Sequence, residues 1–401
     1  MRKFERNIPE GSSVNSEIDG IPQPFGRLRS VVKNIVSSII SPRRIPEELY
    51  TALQNADVAG KMEIVEQLVD GRQGDLVMMG TLELRQGVAA HLMEKYKKCR
   101  IDYEKHILIT CGAMEATMSA LLSIVDHGDE VVLFSPYYPP HVQQVLLAGG
   151  KPIFVHLDEA KNWSVDYDLL NQAINKKTKA IIICNPSNPT GSIFSKVNMD
   201  GIIKIAHERN LFVINDETYN FLVYDSEKFC SPLHFPDKIQ DRLISCFSFS
   251  KEFAITGMRV GYMLAPERII EKAAKIHDAL TICAPTLSQK IALLMLSHRG
   301  NWSKDYLDQF KKKRKIILDK LDKDFFSYSL PEGAYYFFVR YNKNIPSKKM
   351  ALRLLHEAKI ITIPGEGFGE NWNRHLRLSF AGGEDELAAA IDILNQWMSK
   401  N

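Results

Sequence analysis

From residue 106 onward, short apolar runs alternate along the chain with stretches of helical periodicity. Apolar strands separated by helices are typical of a mainly parallel sheet covered on both faces. The predicted strands are His106–Thr110, Glu130–Phe134, Pro152–His156, Ala180–Cys184, Leu211–Asn215, Arg242–Phe247 and Arg259–Leu264. Such sheets bind ligands at the carboxyl ends of their strands, so the loops that follow these strands are where we expect chemistry.

Two further patterns lie outside that series of strands. An apolar stripe beneath charged neighbours predicts a helix over Thr81–Lys97. Near the C-terminus, residues 374–380 alternate as a strand that presents Arg377 on the same face as His375 and Ser379. An arginine there suits recognition of a carboxylate through two parallel hydrogen bonds, although spacing alone favours an ordinary surface ion pair.

Composition indicates an ordinary soluble globular protein. The chain has 401 residues, 45% of them apolar and 25% charged, which favours two domains over one. Its formal charge of +3 argues neither for nor against a nucleic-acid partner, and the basic run at residues 311–315 has the helical spacing of a solvated face. Residues 1–13 lack the apolar core of a secretory signal, and no apolar run reaches a membrane span. We therefore expect a cytoplasmic protein without a membrane or nucleic-acid partner.

The six cysteines show no close pair and no ligand-like spacing with histidine. Several lie inside apolar runs, which is typical of small buried side chains in a reducing compartment. The sequence therefore predicts neither disulfides nor a metal site.

The first two loops carry weak signals. The loop at residues 110–116 holds a glycine and opens a helix, and the free amides of a first helical turn can bind a phosphate. Glycine is common in such turns, so this loop alone is more often structural, and no dinucleotide motif is present. In the loop at residues 135–140, Tyr138 can stack on a flat heteroaromatic ring or simply pack.

The next two loops are more specific. Prolines and a glycine fix the path of residues 185–191, so that two asparagine amides can bond something outside the backbone. Asp216 ends an apolar strand, with Tyr219 three residues later. A buried aspartate is costly unless it meets a positive partner such as a protonated ring nitrogen, and the alternative is a helix cap.

The fifth loop contains Lys251, which follows an apolar strand between small hydroxyl residues. Partial burial and a nearby cation lower the pKa of an amine, so this lysine can condense with an aldehyde near neutral pH. Ser248, Ser250 and Arg259 are suited to a phosphate beside it. The alternative is an ordinary surface lysine, which is what most lysines are.

Together these loops resemble the class I and II aminotransferases, which are pyridoxal phosphate enzymes of fold type I. The resemblance spans residues 80–380 and rests on Asn185–Gly191 (NPSNPTG), Asp216–Tyr219 (DETY) and the segment from Ser248 to Arg259 (SFSK, then GMR). It implies an α/β fold with a large domain, built on a mainly parallel seven-stranded sheet between helices, and a smaller α+β domain. It also implies transfer of an amino group from an L-amino acid to a 2-oxo acid through an aldimine on Lys251.

The resemblance further implies a role for each matching residue. Lys251, Asp216 and Tyr219 would be catalytic, with Asp216 paired to the pyridine nitrogen of pyridoxal phosphate. Arg377, with Asn188, would bind the substrate, and Arg377 would take its α-carboxylate. The residues expected to contact the cofactor are Ala113, Met114, Tyr138, Asn188, Asp216, Tyr219, Ser248, Ser250, Lys251 and Arg259.

The expected organisation is an N-terminal segment at residues 1–50 that packs with the small domain, a large cofactor-binding domain at 51–289 and a small domain at 290–401. The family's site is normally completed across a homodimer interface. Residues 74–79 lack the tyrosine with which many members reach the neighbouring subunit's cofactor phosphate. That contact is then supplied elsewhere or missing, and the loop can instead shape an apolar substrate pocket.

Two alternatives stay open on sequence alone. A pyridoxal phosphate-dependent lyase or decarboxylase can use the same fold and the same lysine. A non-catalytic, cofactor-binding regulator usually carries a DNA-binding domain, for which we expect no room before residue 51.

Overall fold

The computed structural model describes residues 78–225 and 228–401. The helices are α1 Leu82–Lys95, α2 Ala113–Ile124, α3 Pro139–Leu147, α4 Tyr167–Ala173, α5 Lys196–Glu208, α6 Pro236–Ile239, α7 Phe249–Glu252, α8 Glu267–Thr281, α9 Thr286–Ser297, α10 Arg299–Lys320, α11 Ser347–Arg353 and α12 Glu384–Lys400. The strands are β1 Ile107–Thr110, β2 Glu130–Ser135, β3 Lys151–His156, β4 Thr178–Cys184, β5 Phe212–Asp216, β6 Leu243–Ser248, β7 Gly261–Leu264, β8 Phe326–Tyr328, β9 Tyr336–Tyr341, β10 Ile363–Pro364 and β11 His375–Ser379.

The larger sheet has seven strands in the order β1-β7-β6-β5-β4-β2-β3. Strand β7 runs antiparallel to β1 and β6, and the other pairs are parallel. The prediction of a mainly parallel seven-stranded sheet is confirmed. Strand β7 begins two residues later than predicted, at Gly261, because Arg259 ends a short turn with a left-handed φ of 51°.

Alternation along the central strands explains why the runs read as continuously apolar. In β4, Ile181 and Ile183 pack into the core on one face of the sheet, whereas Ala180 and Ile182 pack into the core on the other. Both faces are covered by helices, so each face buries its own set of side chains. The parallel strands β4, β5 and β6 then end side by side, which brings their following loops together.

The smaller sheet is antiparallel, in the order β10-β11-β9-β8, and packs against α10 and α12 in a third core cluster. The predicted strand around Arg377 is β11. The predicted basic helix is α10, where Phe310 and Ile317 are buried while Lys311 and Lys312 are exposed.

The small sheet is attached to the large one close to the asparagine-rich loop. Gly191 O accepts hydrogen bonds from the backbone N–H groups of Glu332 and Gly333, both at 2.8 Å, just before β9 begins. A Cβ atom at Gly191 would lie 2.6 Å from Pro331 Cβ, so only glycine fits this junction. The junction therefore places β9 and β11 beside the loop at residues 185–191.

The predicted domain limits at residues 50 and 289 stay predictions. The N-terminal segment at 1–50 and most of the tyrosine-free loop at 74–79 lie outside the described residues. Within the described ranges, none of the helices has the length and apolar character needed to cross a membrane.

Candidate active site

A cavity of about 180 Å³ lies at the carboxyl ends of β4, β5 and β6. It brings together every residue that the sequence suggested for cofactor contact. These are Ala113, Met114, Tyr138, Asn188, Asp216, Tyr219, Ser248, Ser250, Lys251 and Arg259, and Cys184, Thr218 and Thr256 line the same cavity. Side chains separated by more than 140 positions in the sequence thus converge on one cleft, because the carboxyl ends of parallel strands lie at the same end of the sheet.

Lys251 is carried into the cleft by α7, a single turn that starts directly after β6. The Ser248 hydroxyl caps this turn by accepting a hydrogen bond from Ser250 N at 3.1 Å. Phe249 and Phe253 are almost completely buried and anchor the turn in the core. Burial lowers the pKa of the Lys251 ammonium, and the positive charges of Arg259 and Arg377 lower it further. The turn therefore presents an amine that loses its proton more readily than an ordinary lysine.

Asp216 is the last residue of β5 and is buried. Its Oδ2 lies 3.1 Å from His141 Nε2, and its Oδ1 accepts a hydrogen bond from Thr218 N at 3.0 Å. Burial alone would raise the pKa of this carboxyl, but the hydrogen bonds from His141 and Thr218 outweigh burial and hold the pKa below its ordinary value. Asp216 is therefore a fixed negative charge that faces the cleft.

The start of α2 and Arg259 line one part of the cleft. Gly112 has a φ of 98°, and the N-terminus of α2 follows it. Arg259 Nη2 donates to Cys111 O at 3.2 Å, and its Nη1 donates to Thr256 O at 3.1 Å. Ser250 Oγ is buried without a hydrogen-bond partner among the described residues.

These groups fit the phosphate of pyridoxal phosphate. The first amides of a helix have no partners within the helix and favour an anion, and a guanidinium adds a full positive charge. An unpartnered buried hydroxyl at Ser250 is a costly feature in isolation, and an oxygen of a bound phosphate would satisfy it.

The start of α2 yields a testable prediction. A Cβ atom at Gly112 would lie 2.9 Å from Arg259 Nη2, in addition to the strain of a positive φ. We expect Gly112→Ala to weaken pyridoxal phosphate binding by about tenfold or more, equivalent to roughly 1–3 kcal/mol of strain, measured by titrating the apoenzyme. Gly257→Ala is the matched control, because a Cβ atom there meets nothing within 4 Å. Equal affinities for the two variants would contradict the assignment of this loop.

Two phenols flank the cleft, and both stay protonated. Burial raises the pKa of Tyr138 to about 12, with the negative charge of Asp216 adding to the effect. Burial also raises the pKa of Tyr219 well above its ordinary value, and its hydroxyl lies 2.7 Å from that of Tyr336. The Tyr138 ring packs edge-on against His141, with centroids 5.1 Å apart. Tyr138 and Tyr219 therefore act as hydrogen-bond donors or ring surfaces, and not as anions.

Arg377 lies on β11 of the small sheet, outside the residues that line the cavity, and contacts Asn188, which does line it. Its Nη1 donates to Asn188 Oδ1 at 2.9 Å, which joins the two sheets at the site. Its guanidinium lies over the Tyr336 ring at 4.5 Å and the Phe368 ring at 5.3 Å, which fixes its plane. Its Nε is buried and has no hydrogen-bond partner among the described residues. A carboxylate placed there would find unused donors.

Sequence reasoning did not identify His141 or Tyr336 as site residues. His141 lies three positions after Tyr138, on the first turn of α3, so helical spacing places the two side chains on one face. That spacing was the available signal for His141. Tyr336 lies in a segment that the resemblance associated with the small domain, but its contact with Tyr219 spans 117 positions and has no local signature.

Comparison with known proteins decides the family. The family model for "Aminotransferase class I and II" matches residues 63–394. The chain belongs to this family. Class I and II aminotransferases are pyridoxal phosphate-dependent enzymes of fold type I, so the predictions of family, fold and cofactor are confirmed.

Individual aminotransferases agree with this result. A probable aspartate aminotransferase of Methanocaldococcus jannaschii is 34% identical over 324 residues, which cover 79% of this chain and 83% of that protein. The aspartate aminotransferase of Thermotoga maritima is 33% identical over 320 residues, 80% of this chain and 82% of that protein. The structure of an aromatic aminotransferase from Pyrococcus horikoshii OT3 superposes with a TM-score of 0.81 at 28% identity and covers 93% of this chain and 99% of that one.

These relatives establish the reaction class. The chain is an aminotransferase that uses an amino acid and a 2-oxo acid, and the alternative of a lyase or decarboxylase is not favoured.

Proposed function

We propose that this aminotransferase carries out proton transfer with Lys251, holds its cofactor with Asp216 and Arg259, and binds the substrate α-carboxylate with Arg377. The observation that carries the proposal is the convergence of an amine with a lowered pKa and a carboxylate with a lowered pKa on one cavity. An amine and a carboxylate whose pKa values are both perturbed within one cleft are typical of a catalytic site.

Pyridoxal phosphate, when bound, supplies an electron sink that makes the Cα proton of an amino acid removable. Asp216 would stabilise the protonated pyridine nitrogen, because its carboxylate is ionised and is held by His141. Asn188 and Tyr219 would donate hydrogen bonds to the ring oxygen, and Tyr138 would cover one ring face. The amides of Ala113 and Met114, with Ser248, Ser250 and Arg259, would hold the phosphate.

Lys251 would take the proton from the substrate Cα and return it to the carbon that carried the aldehyde of the cofactor. A base is most effective when its pKa lies near the operating pH, and burial with two nearby guanidinium groups moves the pKa of Lys251 in that direction. One of those groups, Arg377, would also hold the α-carboxylate of the substrate. The cation that orients the substrate therefore also helps to keep the lysine neutral.

For the amino donor we propose L-aspartate, with a 2-oxo acid as acceptor. The support is the naming of relatives: the protein from Thermotoga maritima is an aspartate aminotransferase, and the protein from Methanocaldococcus jannaschii is named a probable aspartate aminotransferase. The structural neighbour from Pyrococcus horikoshii OT3 is instead an aromatic aminotransferase, so aromatic donors are the competing outcome. We also propose a homodimer in the cytoplasm, on the basis of the resemblance to the family.

The experiment is a donor panel on the purified holoenzyme. We expect the yellow absorbance of the bound cofactor to bleach on addition of L-aspartate, and the colour to return with 2-oxoglutarate. Measured kcat/KM values for L-aspartate, L-phenylalanine, L-tyrosine and L-alanine then rank the donors. A higher kcat/KM for the aromatic amino acids would overturn the choice of aspartate while leaving the roles of the site residues intact.

A further inference from the structure

A carboxylate lies in the first turn of α2, directly behind the loop that would hold the cofactor phosphate. Glu115 Oε2 accepts a hydrogen bond from Cys111 N at 3.0 Å, and Glu115 Oε1 accepts one from Ser119 Oγ at 2.7 Å. Cys111 immediately precedes Gly112 in the chain. Glu115, which belongs to α2, therefore holds the backbone of the loop that immediately precedes α2.

His277, near the end of α8, contacts the same carboxylate from the opposite side. Its Nδ1 lies 3.1 Å from Glu115 Oε2, and Thr281 Oγ1 lies 3.1 Å from the same nitrogen. The His277 side chain is completely buried, and its Nε2 has no hydrogen-bond partner in the described part of the chain. A buried imidazole nitrogen without a hydrogen-bond partner lowers the stability of the fold. We therefore expect the contact between His277 and Glu115 to serve a function.

The Cys111 residue is thus held on both sides. Glu115 binds its N–H group, and Arg259 Nη2 binds its carbonyl oxygen. The next residue, Gly112, has a φ of 98° and no side chain to restrict its rotation. Gly112 O accepts hydrogen bonds from Thr110 Oγ1 at 3.1 Å and from Ala116 N at 3.2 Å, which hold the peptide that carries the Ala113 N–H group. The two hydrogen bonds on Cys111 hold the peptides before it, so that the whole set fixes how the loop enters α2.

We propose that Glu115 and His277 are positioning residues that fix the loop Cys111–Ala113 for binding the cofactor phosphate. This inference rests on the proposed function, in which that loop and Arg259 hold the phosphate. The simpler alternative is that the pair only ties α2 to α8 and contributes to stability. The two alternatives predict different affinities. Loss of a positioning residue lowers the affinity for ligands that carry a phosphate and leaves the affinity for ligands without one unchanged.

Pyridoxal phosphate and pyridoxal provide that comparison, since they share the ring and the aldehyde and differ only in the phosphate. We expect Glu115→Ala to weaken apoenzyme binding of pyridoxal phosphate by roughly tenfold, as loss of a supporting hydrogen bond commonly does. We expect the affinity for pyridoxal to change by less than about twofold, because its contacts are untouched. Both affinities are measured by absorbance titration of the apoenzyme.

His277→Phe tests the second member of the pair, and it keeps the test informative should Glu115→Ala fail to fold. It should lower the affinity for pyridoxal phosphate in the same direction, and the double variant should lose little more than Glu115→Ala alone. Glu115→Gln keeps an acceptor oxygen for Cys111 N, and we expect it to recover part of the affinity.

Glu130→Gln is the matched control. The side chain of Glu130 is 10% exposed, against 11% for that of Glu115, and Glu130 lies at the start of β2, the end of that strand away from the cleft. Its Oε2 accepts a hydrogen bond from Asn175 Nδ2 at 2.6 Å. It should leave the ratio of the two affinities unchanged. An equal loss for pyridoxal phosphate and pyridoxal in Glu115→Ala would overturn the positioning role. If the wild-type apoenzyme binds neither compound, the proposed function fails instead.

Discussion

Replacing Lys251 by alanine is expected to lower kcat by about 1,000-fold or more, within the range for loss of a positioned proton carrier. The cavity keeps Asp216, Arg259 and the start of α2, so the purified variant should still bind pyridoxal phosphate. The measurement is single-turnover transamination together with cofactor content. Because the missing group is an amine, small primary amines added to the solution should restore part of the lost rate.

Lys95 supplies the control for this prediction. It is also a partly buried lysine whose pKa is lowered by burial, yet it is absent from the residues that line the cavity. Lys95→Ala should therefore keep kcat within about twofold of the wild type, since no catalytic contact is lost. If Lys251→Ala retains turnover as Lys95→Ala does, or if amines restore none of the rate that Lys251→Ala has lost, Lys251 is not the proton carrier.

Much of the site followed from sequence because its residues lie in short, stiff segments at strand ends. Asp216 and Lys251 each come directly after an apolar run, and the parallel arrangement of β5 and β6 brings two such ends together. Because side chains on both faces of these strands are buried, each strand is a continuous apolar run and can be identified without knowledge of its partners. The local sequence pattern and the geometry of a parallel sheet were therefore enough to place both residues at the carboxyl ends of neighbouring strands.

The parts that sequence missed depend on contacts between distant positions. His141 reaches Asp216 across 75 positions, and only the packing of α3 over the cleft brings them together. Arg259 was expected to open a strand, but its left-handed conformation turns its guanidinium back to Cys111, across 148 positions. Hydrophobic periodicity carries no information about either contact, because each depends on how separate elements pack.

Asp216→Asn tests how much the negative charge of Asp216 contributes to catalysis. The substitution keeps the shape of the side chain and removes its negative charge. We expect kcat to fall by roughly 100- to 1,000-fold, the scale of a lost charge-stabilising group in an active site. Cofactor content should change much less, because Arg259 and the start of α2 are unaffected. A variant that keeps more than about a tenth of the wild-type kcat would contradict the role assigned to this carboxylate.

His141→Phe extends the test through a pH profile whose direction is set by the structure. The hydrogen bond from His141 lowers the pKa of Asp216. Without it, only Thr218 opposes the effect of burial and the pKa of Asp216 rises, so Asp216 becomes protonated at a higher pH than in the wild type. Activity requires the ionised form, and the acid limb of the kcat profile should therefore move to higher pH in His141→Phe. His141→Gln retains an N–H donor and should keep the limb near its wild-type position. An unmoved acid limb in His141→Phe would show that another group limits the rate at low pH and that the His141–Asp216 contact serves packing alone.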